Sequence, residues 1–351
     1  MWLAKRVFDE DIERIISDPH LPWCEMLDKS VLITGATGLI GTALTRVLRA
    51  ASKKYQLNLN LIGNGRNNAK GEKLTKECGL DVFIDGDIRQ PLSIEDIPST
   101  VDYIFHCAAI TKSADMVGKP VDVITTAVDG TRNLLELAKG RKCKSIVYLS
   151  SMEVYGQSLF GEVRETDLGY IDLSNPRSSY PESKRLCETL CVAYAVQHGV
   201  PVKIARLAQT FGAGTSKEDT RVFTQFAQSV LAGKDIVLHT EGKSRGNYCY
   251  LADAVQGLLT LLLYGADGQA YNIANPGASV TIREMAELVA SELGQGRIKA
   301  VVQIPNDIEK RGYAPDAGFQ LNVDKLKLLG WQPHFGLMAM YKRMVADWQG
   351  Q

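Results

Sequence analysis

An α/β fold, a doubly wound parallel sheet with a smaller C-terminal α/β lobe, follows from three features of the sequence. Short apolar, β-branched runs alternate with helical stretches from residue 30 to 207, as strands covered on both faces require. The first run leads straight into a glycine-rich turn and a helix. No internal repeat or low-complexity linker breaks this alternation before it loosens beyond Thr220.

Composition narrows the class. The 351 residues are 45% hydrophobic and 23% charged with a formal net charge of zero, so a folded chain with ample core is expected. Balanced charge points to neither nucleic acid nor an anionic membrane as partner. Met1-Trp2-Leu3-Ala4-Lys5-Arg6 is followed by acids and no long apolar run. Neither signal peptide nor membrane span is therefore expected, and a cytoplasmic location is the default. The cysteines (Cys24, Cys78, Cys107, Cys143, Cys187, Cys191 and Cys249) match no disulfide framework and no zinc spacing, and no metal site is expected. Cys187 and Cys191, four apart, read as helix core.

Residues 5 to 28 read as an amphipathic helix with an exit at Pro19 and Pro22, an N-terminal extension (1–28) packing Trp2 or Trp23 on the main body. The strand Ser30–Thr34 then enters Gly35-Ala36-Thr37-Gly38-Leu39-Ile40-Gly41 and a helix from 42 to 52. Such a turn lets backbone N–H groups approach a diphosphate that the helix N-terminus also faces, which assigns Gly35, Thr37, Gly38, Leu39, Ile40 and Gly41 to a dinucleotide. A second strand, 57 to 63, ends in Asn64-Gly65-Arg66-Asn67. Where many NAD sites place an acid for the ribose, Arg66 can accept a 2′-phosphate, stack on adenine or simply be solvated, so NAD and NADP both stay open. A third strand, 81 to 88, brings Asp87 and Ile88, and Asp87 can accept a hydrogen bond from an adenine amino group. The fourth, 101 to 109, closes on Cys107, Ala108 and Ala109, which permit close backbone approach; His106 reads as structural.

After a helix from 121 to 139 comes a fifth strand, 145 to 151, and beyond its carboxyl end Met152-Glu153-Val154-Tyr155-Gly156. Open α/β sheets bind ligands there, and the Ser151 hydroxyl and Glu153 carboxylate emerge together. In Ser178-Ser179-Tyr180-Pro181-Glu182-Ser183-Lys184-Arg185, Pro181 sets Tyr180 in a helix's first turn and Lys184 one turn along the same face. Bringing a phenol from about 10 to about 7 takes roughly 4 kcal/mol of differential interaction, which the Lys184 ammonium and a cationic nicotinamide ring can share. That helix runs to 198, and a sixth strand, 202 to 207, leads to Gln209-Thr210-Phe211-Gly212. Arg221, Arg245 and Arg311 lie far apart in sequence and are cations that folding can gather on a nucleotide diphosphate.

From residue 29 to 348 the chain resembles the extended short-chain dehydrogenase/reductases, the nucleotide-sugar epimerases, dehydratases and decarboxylases. The likeness rests on the 34–41 turn, Gly86-Asp87-Ile88, His106-Cys107-Ala108-Ala109, Ser150-Ser151-Met152-Glu153-Val154-Tyr155-Gly156, Tyr180-Pro181-Glu182-Ser183-Lys184, the 206–212 stretch and Leu329-Gly330-Trp331-Gln332-Pro333. It implies a Rossmann-like domain over 29–207, a substrate lobe over 208–351 interleaved with it, and NAD, with NADP possible. It further implies oxidation of a sugar C4 hydroxyl to a 4-ketone. Tyr180 is then the base, Lys184 its pKa-lowering and ribose-holding partner, and Ser151 a hydrogen-bond donor to the reacting oxygen. Leu207 falls to the cofactor, and Gln209, Arg221, Arg245 and Arg311 to the substrate.

The resemblance is divided over the outcome. Met152 stands where dTDP-glucose 4,6-dehydratases carry an acid, whereas Glu153 and the run Pro176 to Arg185 resemble the UDP-glucuronate decarboxylases. A lyase, decarboxylase or 4,6-dehydratase, is favoured over a 4-epimerase. An NADP-dependent reductase with exchangeable cofactor, or a non-catalytic cofactor-binding protein, would also be compatible with these residues. Gln209 and Ala127 replace asparagines common in the family, and His239-Thr240-Glu241-Gly242 replaces its Tyr-Gly-Asp-Gly, so UDP is the default base only. Relatives dimerise through a four-helix bundle, which helices 121–139 and 183–198 would supply in a homodimer.

Overall fold

Each strand of the main sheet is apolar on both sides, and the two sides face different helices. In the computed structural model, which describes residues 7–92, 97, 99–158, 161–305 and 318–350, the chain begins with α1 (Val7–Ile16) and then enters β1 (Ser30–Thr34), α2 (Leu39–Tyr55), β2 (Asn60–Gly65), α3 (Asn68–Cys78), β3 (Val82–Asp85) and β4 (Tyr103–His106). It continues through α4 (Ser113–Gly118), α5 (Pro120–Arg141), β5 (Ser145–Ser151), α6 (Ser179–His198) and β6 (Val202–Leu207). Along β1, Val31 and Ile33 join the core beneath α2, while Leu32 between them joins the core beneath α5 and α6. β1, β4 and β6 are buried along their whole lengths.

Beyond β6 come α7 (Val222–Leu231), α8 (Leu251–Tyr264), β7 (Ala270–Ile273) and α9 (Ile282–Glu292). The seven strands lie in the order β7-β6-β5-β4-β1-β2-β3, every neighbouring pair parallel. Strand order reverses between β1 and β4, whose ends Thr34 and His106 are in register. That is the switch point at which such sheets open a crevice. A smaller sheet of Gln209–Phe211, Arg245–Tyr250 and Asn275–Thr281 stands beyond the carboxyl end of β6. Because β7 returns to the main sheet before Asn275–Thr281, the two sheets share the chain alternately.

Several element bounds differ from the sequence reading. Helix 5–28 is replaced by α1 and a 3₁₀ turn at Trp23–Met26, since Pro19 disfavours the α conformation at the residue before it. Trp23 packs as expected, donating its indole N–H to the Ile16 carbonyl at 3.0 Å and stacking on Tyr55; Trp2 lies outside the described residues. α2 begins directly after Gly38, not at 42. β2 starts late because Gln56 and Asn58 adopt left-handed backbone before it. β3 and β4 stop early, and Gly86 to Ile88 and Cys107 to Ala109 leave the ladder to line the crevice. All seven cysteines are free thiols, and Cys187 and Cys191 are in the core. Among the described residues no helix is long and apolar enough to cross a membrane.

α1 buries Phe8, Ile12, Ile15 and Ile16 against α2, α8 and the helix Leu337–Gly350. On the same face Asp11, only 2% exposed, accepts the Tyr250 hydroxyl and, at 2.8 Å, the Arg343 guanidinium. Burial pushes its carboxyl up from 3.8 to about 6, with Tyr250 and Arg343 pulling the other way. A raised acid contributes stability that is complete below the unfolded value and lost as pH rises through the folded one. Between pH 4 and pH 6.5, thermal unfolding of Asp11→Asn should therefore gain on the native chain by roughly 2 kcal/mol. A pH-independent difference would refute the assignment.

Candidate active site

The crevice starts at a turn that only glycines can make. Gly35 has φ +62°, and a Cβ there would lie 2.9 Å from the Ala108 backbone, so the loops leaving β1 and β4 touch main chain to main chain. At Gly41 a Cβ would run into the Gly35 carbonyl, which is how α2 settles on the turn. Gly38 caps α2 without a side chain, and the first N–H groups of the helix are left for an anion. Thr37, Leu39 and Ile40 complete the turn. The cradle therefore fits a dinucleotide diphosphate. His106 bridges Thr34 at 2.8 Å and Thr131 at 3.3 Å, and burial drives its pKa down to about 3, the neutral structural histidine expected.

Asp87 and Ile88 sit past β3. Three contacts from Arg89 at 2.7 to 3.0 Å hold the Asp87 carboxyl below the usual range. The Ile88 carbonyl is taken by Asn133 at 3.0 Å. Cys107 faces the buried Lys184, but burial pushes its thiol up to about 12, so it stays neutral.

α6 delivers the reactive pair. A 3₁₀ turn at Pro176–Ser178, capped by Asn175, feeds it, and Pro181 occupies its first turn. Tyr180 is 8% exposed and packs with Met116 and Val123. The Ser151 hydroxyl, at the end of β5, accepts the Glu153 N–H at 3.2 Å and lies close enough to the Tyr180 phenol to favour its ionised form. Lys184, 4% exposed, donates to the Leu149 carbonyl at 2.6 Å, its nitrogen 5.9 Å from the Tyr180 ring centre. Leu207 is in register with Ser151 on the adjoining strand.

Tyr180 and Lys184 are buried together on one face of α6, and in the chain alone the electrostatics raise the phenol. Burial first, then the Glu153 carboxylate, push the Tyr180 phenol above its ordinary range; Ser151, Arg177 and Arg221 act the other way. The expected acidification by Lys184 is not supplied by the chain's own groups, because the lysine is itself desolvated, which lowers its pKa, and it spends a proton on Leu149.

Glu153 is gripped by Arg177 at 2.8 and 3.2 Å, a two-point pair that sequence reasoning missed. The only signal for it in the sequence is that Arg177 lies three residues before Tyr180. Arg221 is within electrostatic reach of Tyr180 and is held by Asp219 at 2.6 Å, with Gln209 on the neighbouring strand. Arg245 donates to the Ser279 carbonyl at 2.7 Å and lies near Glu284, and no described contact joins it to Tyr180. Arg311 falls outside the described residues.

One turn beyond Lys184, Glu188 is buried against Arg206, with contacts of 2.6 to 3.2 Å. The Ser150 hydroxyl donates to Glu188, and Arg206 also donates to the Tyr155 oxygen, which in turn bonds Asn272 at 2.6 Å. No spacing in the sequence foretells this network; it ties α6 to β5, β6 and β7.

The sequence and fold have known relatives. Residues 31–274 match the model of the NAD dependent epimerase/dehydratase family. The chain belongs to that family. Its relatives include UDP-glucuronic acid decarboxylase 3 of Arabidopsis thaliana, 34% identical over 91% of this chain and 89% of that protein. UDP-glucuronic acid decarboxylase 1 of Danio rerio is 31% identical over 87% of this chain and 69% of that protein. A dTDP-glucose 4,6-dehydratase from Streptomyces venezuelae, solved with NAD bound, shares the fold with a TM-score of 0.74 at 24% identity, covering 91% of this chain and 97% of its own. The family is NAD-dependent, and the glycine turn between β1 and α2 suits that cofactor's diphosphate.

Arg206→Met should leave Glu188 buried without a counter-charge and cost about 3–5 kcal/mol in denaturant unfolding. Adding Glu188→Leu should recover most of the loss, and no recovery would show that the arginine acts by packing alone.

Proposed function

We propose that this enzyme is a nucleotide-sugar lyase that decarboxylates a nucleotide-linked hexuronate, with UDP-glucuronate as first candidate. The observation that carries the reading is the Glu153 and Arg177 pair beside Ser151 and Tyr180, with Met152 between Ser151 and Glu153. Methionine has no proton for a departing hydroxyl, so water loss lacks its acid at that position. Decarboxylation needs none. The curated relatives named decarboxylases support the same choice.

In this reading the turn from Gly35 to Gly41, Asp87, Ile88, Cys107 to Ala109 and Leu207 line the cofactor. The nicotinamide cofactor, when bound, supplies a cationic ring and holds the C4 hydride during the reaction. Tyr180 takes the proton of the C4 hydroxyl, and Ser151 hydrogen-bonds that oxygen. The 4-ketone so formed is β to the C6 carboxylate, the C5–C6 bond breaks, carbon dioxide leaves, and the electron pair rests on the C4 oxygen as an enolate. Protonation at C5 by solvent, and the restoration of the hydride to C4 and of the Tyr180 proton to its oxygen, complete a cycle without net redox change. Arg177 fixes Glu153 beside the sugar ring, where it serves the steps after oxidation. Gln209, Arg221 and Arg245 belong to the diphosphate side of the lobe 208–351, the family resemblance gives Arg311 the same task, and residues 29–207 form the nucleotide-binding unit.

A homodimer is part of the proposal. α5 and α6 pack together and expose Val121, Ile124, Leu186, Val192 and Val196 on their outer side. Equilibrium sedimentation should give twice the chain mass; a single-chain mass at micromolar concentration would count against it.

Incubation with UDP-glucuronate, UDP-glucose, GDP-mannose and dTDP-glucose should show loss of carbon dioxide from the first and no mass change in the others. Water loss instead would favour the dehydratase, and altered stereochemistry at constant mass the 4-epimerase. Tyr180→Phe should keep its fold and lose turnover by roughly a hundredfold or more. Glu153→Gln should slow the step after oxidation more than oxidation itself, and equal slowing would remove Glu153 from the later steps.

A further inference from the structure

The opposite end of the main sheet carries a cavity that the sugar chemistry does not use. It measures about 540 Å³ and opens at the amino ends of β1, β4, β5 and β6. Ser145, on its wall, begins β5, and Ser151 ends that strand. At about 3.3 Å per residue, the length of β5 keeps the cavity roughly 20 Å from the reactive centre.

One wall is peculiar to this chain's extension. Cys24, Glu25 and Leu27 come from the 3₁₀ turn and its exit, ahead of residue 31 where the family match begins. That turn is firmly held. Trp23 and Met26 are buried, and Tyr55 and Tyr264 donate their hydroxyls to the Ile16 and His20 carbonyls at 2.7 and 2.9 Å. Leu262 and Leu263 of α8 also line the cavity and, with Leu27, give it apolar surface.

The strand ends bring cations. Lys29 precedes β1, Lys144 precedes β5 and Lys203 lies in β6, so parallel pairing gathers at one edge three ammonium groups that are far apart in sequence. Lys203 is spent. It is 5% exposed, donates to the Ser145 hydroxyl at 2.9 Å and the Pro201 carbonyl at 3.2 Å, and pairs with Asp267 at 2.7 Å. Lys144 has a long contact of 3.8 Å with Asp102, whose carboxylate also accepts the Ser30 N–H at 3.0 Å. Lys29 has no side-chain partner among the described residues. On β4, the strand between β1 and β5, the Tyr103 phenol makes only a 3.4 Å contact to the Glu25 carbonyl. Glu25, the single acid of the lining among the described residues, is exposed.

Two ammonium groups without close partners, and a phenol weakly engaged between their strands, suit a phosphate. The cavity is far larger than that ion, and its apolar surface suits an organic portion. We propose that it binds a small phosphorylated organic molecule, the phosphate between Lys29 and Lys144 and the organic part against Leu27, Leu262 and Leu263. The proposal stands whether or not the sugar reaction is a decarboxylation.

Cys24 is an exposed thiol on the cavity wall and reports its occupancy. The full chain is alkylated with iodoacetamide in the presence of AMP or of inorganic phosphate, and modification of Cys24 is followed by peptide mass. Saturating AMP should slow Cys24 by about fivefold or more as access is lost. Inorganic phosphate should need at least about tenfold higher concentration for the same protection. Neither Lys29 nor Lys144 is buried, so Lys29→Ala combined with Lys144→Ala should fold and, at the same AMP concentration, alkylate as fast as it does without AMP. Lys29→Arg combined with Lys144→Arg should keep the protection. No protection by AMP, protection unmoved in the double alanine variant, or phosphate as effective as AMP would each overturn the proposal. None of these readouts uses turnover, so they separate this inference from the sugar chemistry.

Discussion

The ion pair between Glu188 and Arg206 decides which way the reactive helix faces. α6 has little amphipathic bias of its own, with polar Ser183, Lys184 and Glu188 all on its buried side. Such a helix is not oriented by apolar burial alone. A buried pair gives little stability over well-packed apolar residues of the same volume, but it is intolerant of misalignment because either charge left alone is costly. Arg206 on β6 therefore selects the rotation of α6 that points Glu188 inward, and Lys184 and Tyr180 follow at one-turn intervals towards the crevice. The Ser150 hydroxyl and the Tyr155 phenol bring β5 into the same network one residue before Ser151.

Electrostatically the site is built of opposed tendencies. Burial makes the Tyr180 phenol a weaker acid and the Lys184 ammonium a stronger one, so the polypeptide by itself favours neutral forms of both. Arg177 tempers the part of this that comes from Glu153, by standing against that carboxylate from the turn just before the helix. A site arranged so is quiet until positive charge enters it.

What the sequence made legible was whatever depends on local pattern. The bounds of β5 and β6 and the start of α6 could be read closely, because apolar runs with sharp ends and a first-turn proline are local signals. Strand ends at Gly86 and Cys107 were overrun, since small and apolar residues that line a crevice look like strand. The pairs Glu153 with Arg177 and Glu188 with Arg206 were invisible, because nothing in spacing says which distant charges fold together. Desolvation of Tyr180 was hidden for a related cause: a four-residue spacing reveals the nearby ammonium and says nothing of the burial that raises the phenol in the chain alone.

The placement of α1 bears on how the chain is assembled during translation. Asp11 finds its cationic partner in Arg343, 332 residues later, and Arg14 finds its acid in Asp253, 239 residues later. As synthesis proceeds from the amino end, α1 is out of the ribosome long before either partner exists, and α2 is the first neighbour it meets. A helix made before every sheet strand described above is thus among the last to be fastened. A nascent chain must carry an aspartate without its cation and an open apolar stripe until the helix Leu337–Gly350 arrives.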